Sequence, residues 1–238
     1  MSIIRSIIKL SIIGFVFINS ANADVTIDHQ YKGKDWNKFE YTSPIQKQFS
    51  EEIYNKYEPA VYRDLARDGI SSKPLIGSID FGRLVWDGDI FYIIPVNYIS
   101  AAQSESDKKQ NWKHTNAIPG GGVCSIFLYN SQFERVAKVD ADLPDANHHT
   151  WCNGINGIGS ARKQDGVLLA VSYYLTDKSP AHTVKEIGNG WKDETLLFHL
   201  SKENGKVKFT QDDRCLGNPN HFKDILSARK ALAKCPVH

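Results

Sequence analysis

The stretch VCSIFLYNSQFERVAKV, Val123 to Val139, decides the fold. Both ends are short runs rich in β-branched and aromatic residues, and the middle, Asn130 to Glu134, is polar. That pattern predicts an antiparallel hairpin. A second stretch of the same make, Thr195-Leu196-Leu197-Phe198-His199, turns through Ser201 to Gly205 into Lys206 to Thr210. Working outward, Arg83 to Trp86, Asp89 to Ile99 and Val167 to Leu175 carry the same residue types between Gly, Asn and Asp punctuation. Residues 75–211 are therefore expected to form antiparallel sheets, in a chain that is mainly β with some helix (α+β).

The two hairpins suggest an internal duplication, 88–140 and 166–211. Gly88 and Gly166 open corresponding strands 78 residues apart, Trp112-Lys113 and Trp191-Lys192 sit in the following loops 79 apart, and Phe127/Phe198 and Val136/Val207 are 71 apart. Two four-stranded units of this kind would be blade-like or sandwich-like. Helices are expected on both flanks. Ser43-Pro44 with Gln46 forms a capping box, Ile45, Phe49 and Ile53 share one face, Pro59 interrupts, and Val61 and Leu65 follow before Gly69, giving a helical segment over 43–69. At the other end Asn218-Pro219 reads as a cap and first turn, with Phe222, Ile225, Leu226 and Leu232 at helical spacing over 218–234.

Residues 1–23 read as a secretory signal peptide, with Arg5 and Lys9 ahead of the apolar run Leu10 to Ile18 and small residues at Ala21 and Ala23. The uncharged run is too short to span a bilayer, so no membrane span is expected after its removal, and 24–238 is expected to be a single mature domain. Of 29 Lys and Arg, two leave with the leader, and the remaining 27 balance 27 Asp and Glu. A neutral chain without a basic stripe gives no pull toward phosphate backbones, so nucleic acid is not an expected partner.

Four cysteines, Cys124, Cys152, Cys215 and Cys235, lie in the mature part. In an exported chain an even count without C-x-x-C favours disulfides over metal or thiol chemistry. Three connectivities are open. The sequential one, Cys124–Cys152 with Cys215–Cys235, is preferred, although a helix of ~20 Å between Cys215 and Cys235 requires the flanking segments to fold back along it.

No convergent catalytic set stands out, and no motif calls for a cofactor. Asp140, Asp142, Asp145, His148 and His149 form the densest polar cluster, but adjacent histidines on an extended chain point apart, so the cluster reads as an acidic loop rather than a metal site. Asp87-Gly88-Asp89 pairs carboxylates as a glycosidase would, yet it is first of all a turn. Gly77-Ser78 and Gly159-Ser160 lack a nucleophile elbow, and Gly120-Gly121-Gly122 lacks the lysine of a phosphate loop.

The residues that point to a role are Trp112, Trp151 and Trp191, each set among polar residues or glycines in what read as loops. Packing is the expected job of Trp151. The candidate binding residues are Trp112, Lys113, Trp191, Lys192 and Asp193, because tryptophan dominates binding hot spots and also stacks on sugar rings. The sequence thus reads as a periplasmic or secreted protein-binding factor, an inhibitor or immunity protein against a toxin or hydrolase. A secreted hydrolase or glycan-binding module acting on envelope polysaccharide is the alternative, with Asp87 or Asp89 as its carboxylates.

Overall fold

The computed structural model describes residues 25–29, 56, 59–69, 82–98, 122–144, 150–162, 166–175 and 190–235. Among these residues nine strands form two antiparallel sheets. Sheet 1 contains β1 (Thr26–His29), β2 (Gly82–Trp86), β3 (Asp89–Tyr98), β4 (Val123–Tyr129) and β5 (Arg135–Asp140), in that order across the sheet. Sheet 2 contains β6 (Thr150–Ser160), β7 (Gly166–Leu175), β8 (Gly190–Glu203) and β9 (Lys206–Gln211), likewise in chain order. A helical stretch over 59–67, α1, and the helix Ile225–Leu232, α2, complete the described elements.

The sheets pack face to face on one core. Cys124, Ile126 and Leu128 of β4 point into it, as do Val167, Leu169 and Val171 of β7 and Leu196, Phe198 and Leu200 of β8. The alternate residues of the same strands are apolar too, because each sheet is covered again on its outer side. Ile94, Val96, Phe127 and Tyr129 pack under Val61 and Leu65 of α1, and Leu168 and Leu197 pack under Ala228 and Leu232 of α2. Burial on both faces turns an alternating pattern into a continuous apolar run. That is why Ser125 to Tyr129 and Thr195 to Leu200 were legible as strands.

Turns and crosslinks follow from particular residues. Asp87 and Gly88 (φ 53° and 78°) close the β2–β3 hairpin, and Asn204 and Gly205 (φ 52° and 74°) close β8–β9, two-residue turns whose left-handed φ suits Asp, Asn and Gly. The second turn is thus shorter than the expected Ser201 to Gly205, and β8 runs on to Glu203. Cysteines pair sequentially: Cys124–Cys152 joins the two sheets with Cα atoms 5.5 Å apart, and Cys215–Cys235 spans 6.0 Å. Backbone bonds between Gly122 and Cys152 (2.8 and 2.9 Å) reinforce the first bridge.

Several expectations are corrected. The C-terminal helix covers Ile225–Leu232 and not 218–234; its cap is Asp224, whose Oδ1 accepts from Ser227 N at 2.7 Å, while Asn218-Pro219 lies in the preceding turn with a cis peptide bond. Eight residues make a helix of only ~12 Å, so the returning segment closes Cys215–Cys235 readily. Thr26–His29, ahead of the region expected to form sheets, is also a strand, β1. The glycine-rich segment Cys152-Asn-Gly-Ile-Asn-Gly-Ile-Gly159 was not read as a strand, yet it lies within β6. Gly159 gives α2 room there: a Cβ would lie 2.9 Å from Ile225 Cγ2 and 3.0 Å from an Arg229 nitrogen, so those side chains would have to shift.

The two meanders β2–β5 and β6–β9 share strand order but not register. The 71-residue offset sets Phe127, on the outer face under α1, against Phe198, in the core between the sheets. An odd shift exchanges the faces of a strand, so those positions are not structurally equivalent. The part of the 43–69 helical segment before residue 59, the leader 1–23 and Asp145, His148 and His149 lie outside the described residues, apart from the single helical residue 56.

Candidate functional site

Trp191, Lys192 and Asp193 belong to β8 and not to a loop. Pairing with β7 is continuous there, with Trp191 opposite Tyr174, Lys192 opposite Tyr173 and Asp193 opposite Ser172. Successive side chains of a strand point to opposite faces. Trp191 and Asp193 therefore share the outer face of sheet 2, while Lys192 points to the other side, in the row of the fully buried Tyr173. The expected trio is split by the pleat.

On that outer face β6 adds Trp151 opposite Tyr174, so three aromatic rings form a row across three strands. Trp151 and Tyr174 lie with ring centroids 6.4 Å apart and 25° between planes, and Tyr174 meets Trp191 edge-on at 4.9 Å and 67°. The row ends in solvent: Trp191 is 52% exposed. Beside it the Asn156 side-chain amide approaches Asp193 Oδ1 at 3.4 Å. Trp151 is therefore the first member of the row as well as a packing residue. Trp112 and Lys113 lie outside the described residues.

Asp87 and Asp89 converge on one ammonium. Lys202 Nζ stands 2.6 Å from Asp87 Oδ2 and 3.0 Å from Asp89 Oδ2, and 5.4 Å from the Trp86 ring centroid. The pair ties the β2–β3 turn to β8. Of the acidic cluster, Asp140 bonds within sheet 1, and among the described residues no group of three or more His, Cys, Asp or Glu side chains is placed to hold a metal ion.

Sequence reasoning passed over two clusters. One covers the outer face of sheet 1. Arg135 forms a bidentate pair with Asp68 (2.7 and 2.8 Å), Lys138 Nζ donates to Tyr98 O–H at 2.9 Å and pairs with Asp140 at 3.2 Å, and Ser125 Oγ donates to Asp140. The Arg135 hydrogen bond holds the Asp68 carboxyl below its ordinary range, and burial pushes the Tyr98 hydroxyl up. Fully buried Asp64 is flanked by Arg63 (3.3 Å) and Arg67 (3.2 Å). The cluster fastens α1 to the sheet, with each charge facing an opposite one. A hint existed in the sequence: Asp64 and Asp68 are four apart on a helix, and so on one face.

The other is Glu194, fully buried on the core-facing side of β8. Asn220 N donates to its Oε2 at 3.3 Å, and its Oε1 has no partner among the described residues. Burial pushes its carboxyl up to about 8, and the charges of Asp213 and Asp142 push the same way. Closed off from solvent, it favours the protonated form. No protein-family model, curated protein or solved structure matches the chain.

Proposed function

We propose that this chain is an exported protein-binding factor that inhibits or neutralises another protein, as an immunity protein or inhibitor against a toxin or hydrolase does, and that it docks through the outer face of sheet 2. The observation that carries this reading is Trp191, a large aromatic half in solvent at the end of the row Trp151–Tyr174–Trp191. A tryptophan fixed on a paired strand offers much apolar area with little conformational entropy left to lose, which is what makes aromatic anchors energetically dominant at interfaces. Asp193 and Asn156 supply a polar rim. Two disulfides suit an oxidising compartment, in keeping with the leader read at 1–23. Among the described residues no helix is long and apolar enough to cross a membrane.

The test is capture from the native compartment with the mature chain, paired with a deletion strain. One partner retained by the wild type and lost by Trp191→Ala, with altered toxin or hydrolase sensitivity on deletion, is the expected result. No partner and unchanged sensitivity would remove the proposal. The near-parallel Trp151 and Tyr174 rings beside Asp193 favour a second reading, a glycan platform. Oligosaccharides that saturate a change in tryptophan fluorescence, with no protein captured, would establish it instead.

A further inference from the structure

Three strands of sheet 2 carry two neighbouring rows of side chains on the face that holds Trp191. The first is the aromatic row Trp151–Tyr174–Trp191. The second, one pleat repeat or ~7 Å further along β7 and β8, sets Gly154 opposite Ser172 and Ser172 opposite Asp193. It has bulk only at its β8 end. A Cβ on Gly154 would meet the Ser172 hydroxyl at 3.7 Å, and Gly154, Ser172 and Asp193 are all partly exposed. The rings therefore overlook a recess floored by glycine and serine.

The far side of the recess is polar. Asn156, at a bulge of β6, reaches across β7 so that its amide comes within 3.4 Å of Asp193 Oδ1. Beyond it α2 closes the face, where Ile225 Cγ1 lies 3.8 Å from the place a Gly157 Cβ would take. Asp193 thus stands between Trp191, two residues before it on the same face, and the cover of α2. The pleat turns Lys192, the cation between them in sequence, to the opposite side. The recess presents a carboxylate beside aromatic rings, with a hydroxyl in its floor.

One side chain answers all three groups. A guanidinium is flat and always charged, stacks on tyrosine and tryptophan rings, and offers N–H donors in a fork matched to a carboxylate. An ammonium is a strongly hydrated point charge that lacks the flat stacking surface. An apolar group would cover Asp193 without giving it a partner, at a cost in free energy. We propose that the recess receives an arginine of the protein partner, its guanidinium laid against the Tyr174 and Trp191 rings and its N–H groups donating to the Asp193 carboxylate and the Ser172 hydroxyl. The inference rests on Trp191 as the docking residue and adds the charge and shape of what docks beside it.

The experiment titrates N-acetylarginine amide, and separately its uncharged isostere N-acetylcitrulline amide, into the mature protein at constant ionic strength. Two-dimensional amide NMR spectra follow the binding and show that each variant is folded. Saturable binding of the arginine derivative in the millimolar range is expected, with the citrulline derivative weaker by about tenfold or more. Asp193→Asn should weaken the arginine derivative about tenfold and Trp191→Ala at least as much, whereas Glu203→Gln, at the far end of β8, should leave it unchanged. No saturable shift with the arginine derivative, equal binding of the citrulline derivative, an uncharged oligosaccharide saturating the same shifts in its place, or wild-type binding by Asp193→Asn would overturn the inference. A captured partner that is lost by Trp191→Ala but held undiminished by Asp193→Asn would overturn it too and leave the Trp191 reading standing, whereas failure of that reading shows as no captured partner at all.

Discussion

The outer faces of the two sheets are built from the same materials and finished differently. On sheet 1, aromatic rings lie under a helix and cations meet carboxylates: Phe127 is fully buried with the Arg135 and Lys138 cations 5.2 and 5.7 Å from its ring centre, and both cations are paired. On sheet 2, the aromatic row runs out past the cover of α2 to an exposed tryptophan. The difference separates a face whose rings are covered within the fold from one whose row of rings ends in solvent. Exposed rings are where a second molecule finds interaction energy that folding has not already taken up.

Substitutions that treat the two faces alike should therefore give unlike results. The largest effect belongs to Phe127→Ala, which empties a fully buried position between β4 and α1; urea unfolding should show a loss of ~3–5 kcal/mol. A loss below ~1 kcal/mol would mean that α1 does not cover sheet 1 as described.

Next is Glu194, a buried carboxyl with no cation paired to it among the described residues, unlike Asp64, Asp68 and Asp140 at the other sheet. Its folded value of about 8 lies above the unfolded 4.5, so the unfolded chain loses its proton first. Stability should fall as pH rises through that window, by ~1.4 kcal/mol per unit. Glu194→Gln removes the dependence. Between pH 5 and 7 the variant should gain ~2–3 kcal/mol relative to the wild type. Parallel stability curves for the two proteins would contradict the burial assigned to this group.

Arg135→Met should cost ~2 kcal/mol, because it leaves the partly covered Asp68 without its bidentate partner. The same test on sheet 2, Asp193→Asn, removes a partly exposed charge and should move stability by no more than ~0.5 kcal/mol. Equal losses would erase the contrast between the faces. A smaller effect, ~1 kcal/mol, is expected from Asp224→Ala, which removes the α2 cap, and thermal unfolding will register it.

Much of this architecture was legible in the sequence because burial on both faces writes long apolar runs, as at Ser125 to Tyr129 and Val167 to Leu175. An even cysteine count pointed to disulfides, and the sequential pairing held against a geometric objection that the short α2 removes. β6 was illegible because Gly154, Gly157 and Gly159 have no side chain to show a period; Gly159 is there to let Ile225 and Arg229 approach. The first residues of β8 looked like a loop because Trp191 and Asp193 face solvent and glycine precedes them. Trp191 was found through its residue type, but its partners Tyr174 and Trp151 depend on register, which local spacing does not carry. Pairs such as Arg135 with Asp68, 67 positions apart, are likewise products of topology.

The most direct measurement compares three forms of the mature chain, wild type, Trp191→Ala and Ile90→Ala, in capture from the native compartment and in affinity for the partner so obtained. Ile90 is 46% exposed on the β2–β3 hairpin of sheet 1 and serves as the matched apolar truncation. The account predicts that Trp191→Ala loses about 2 kcal/mol of binding or more, roughly thirtyfold, with folding stability unchanged, while Ile90→Ala binds as the wild type does. Undiminished binding by Trp191→Ala, or equal losses in both variants, would contradict it.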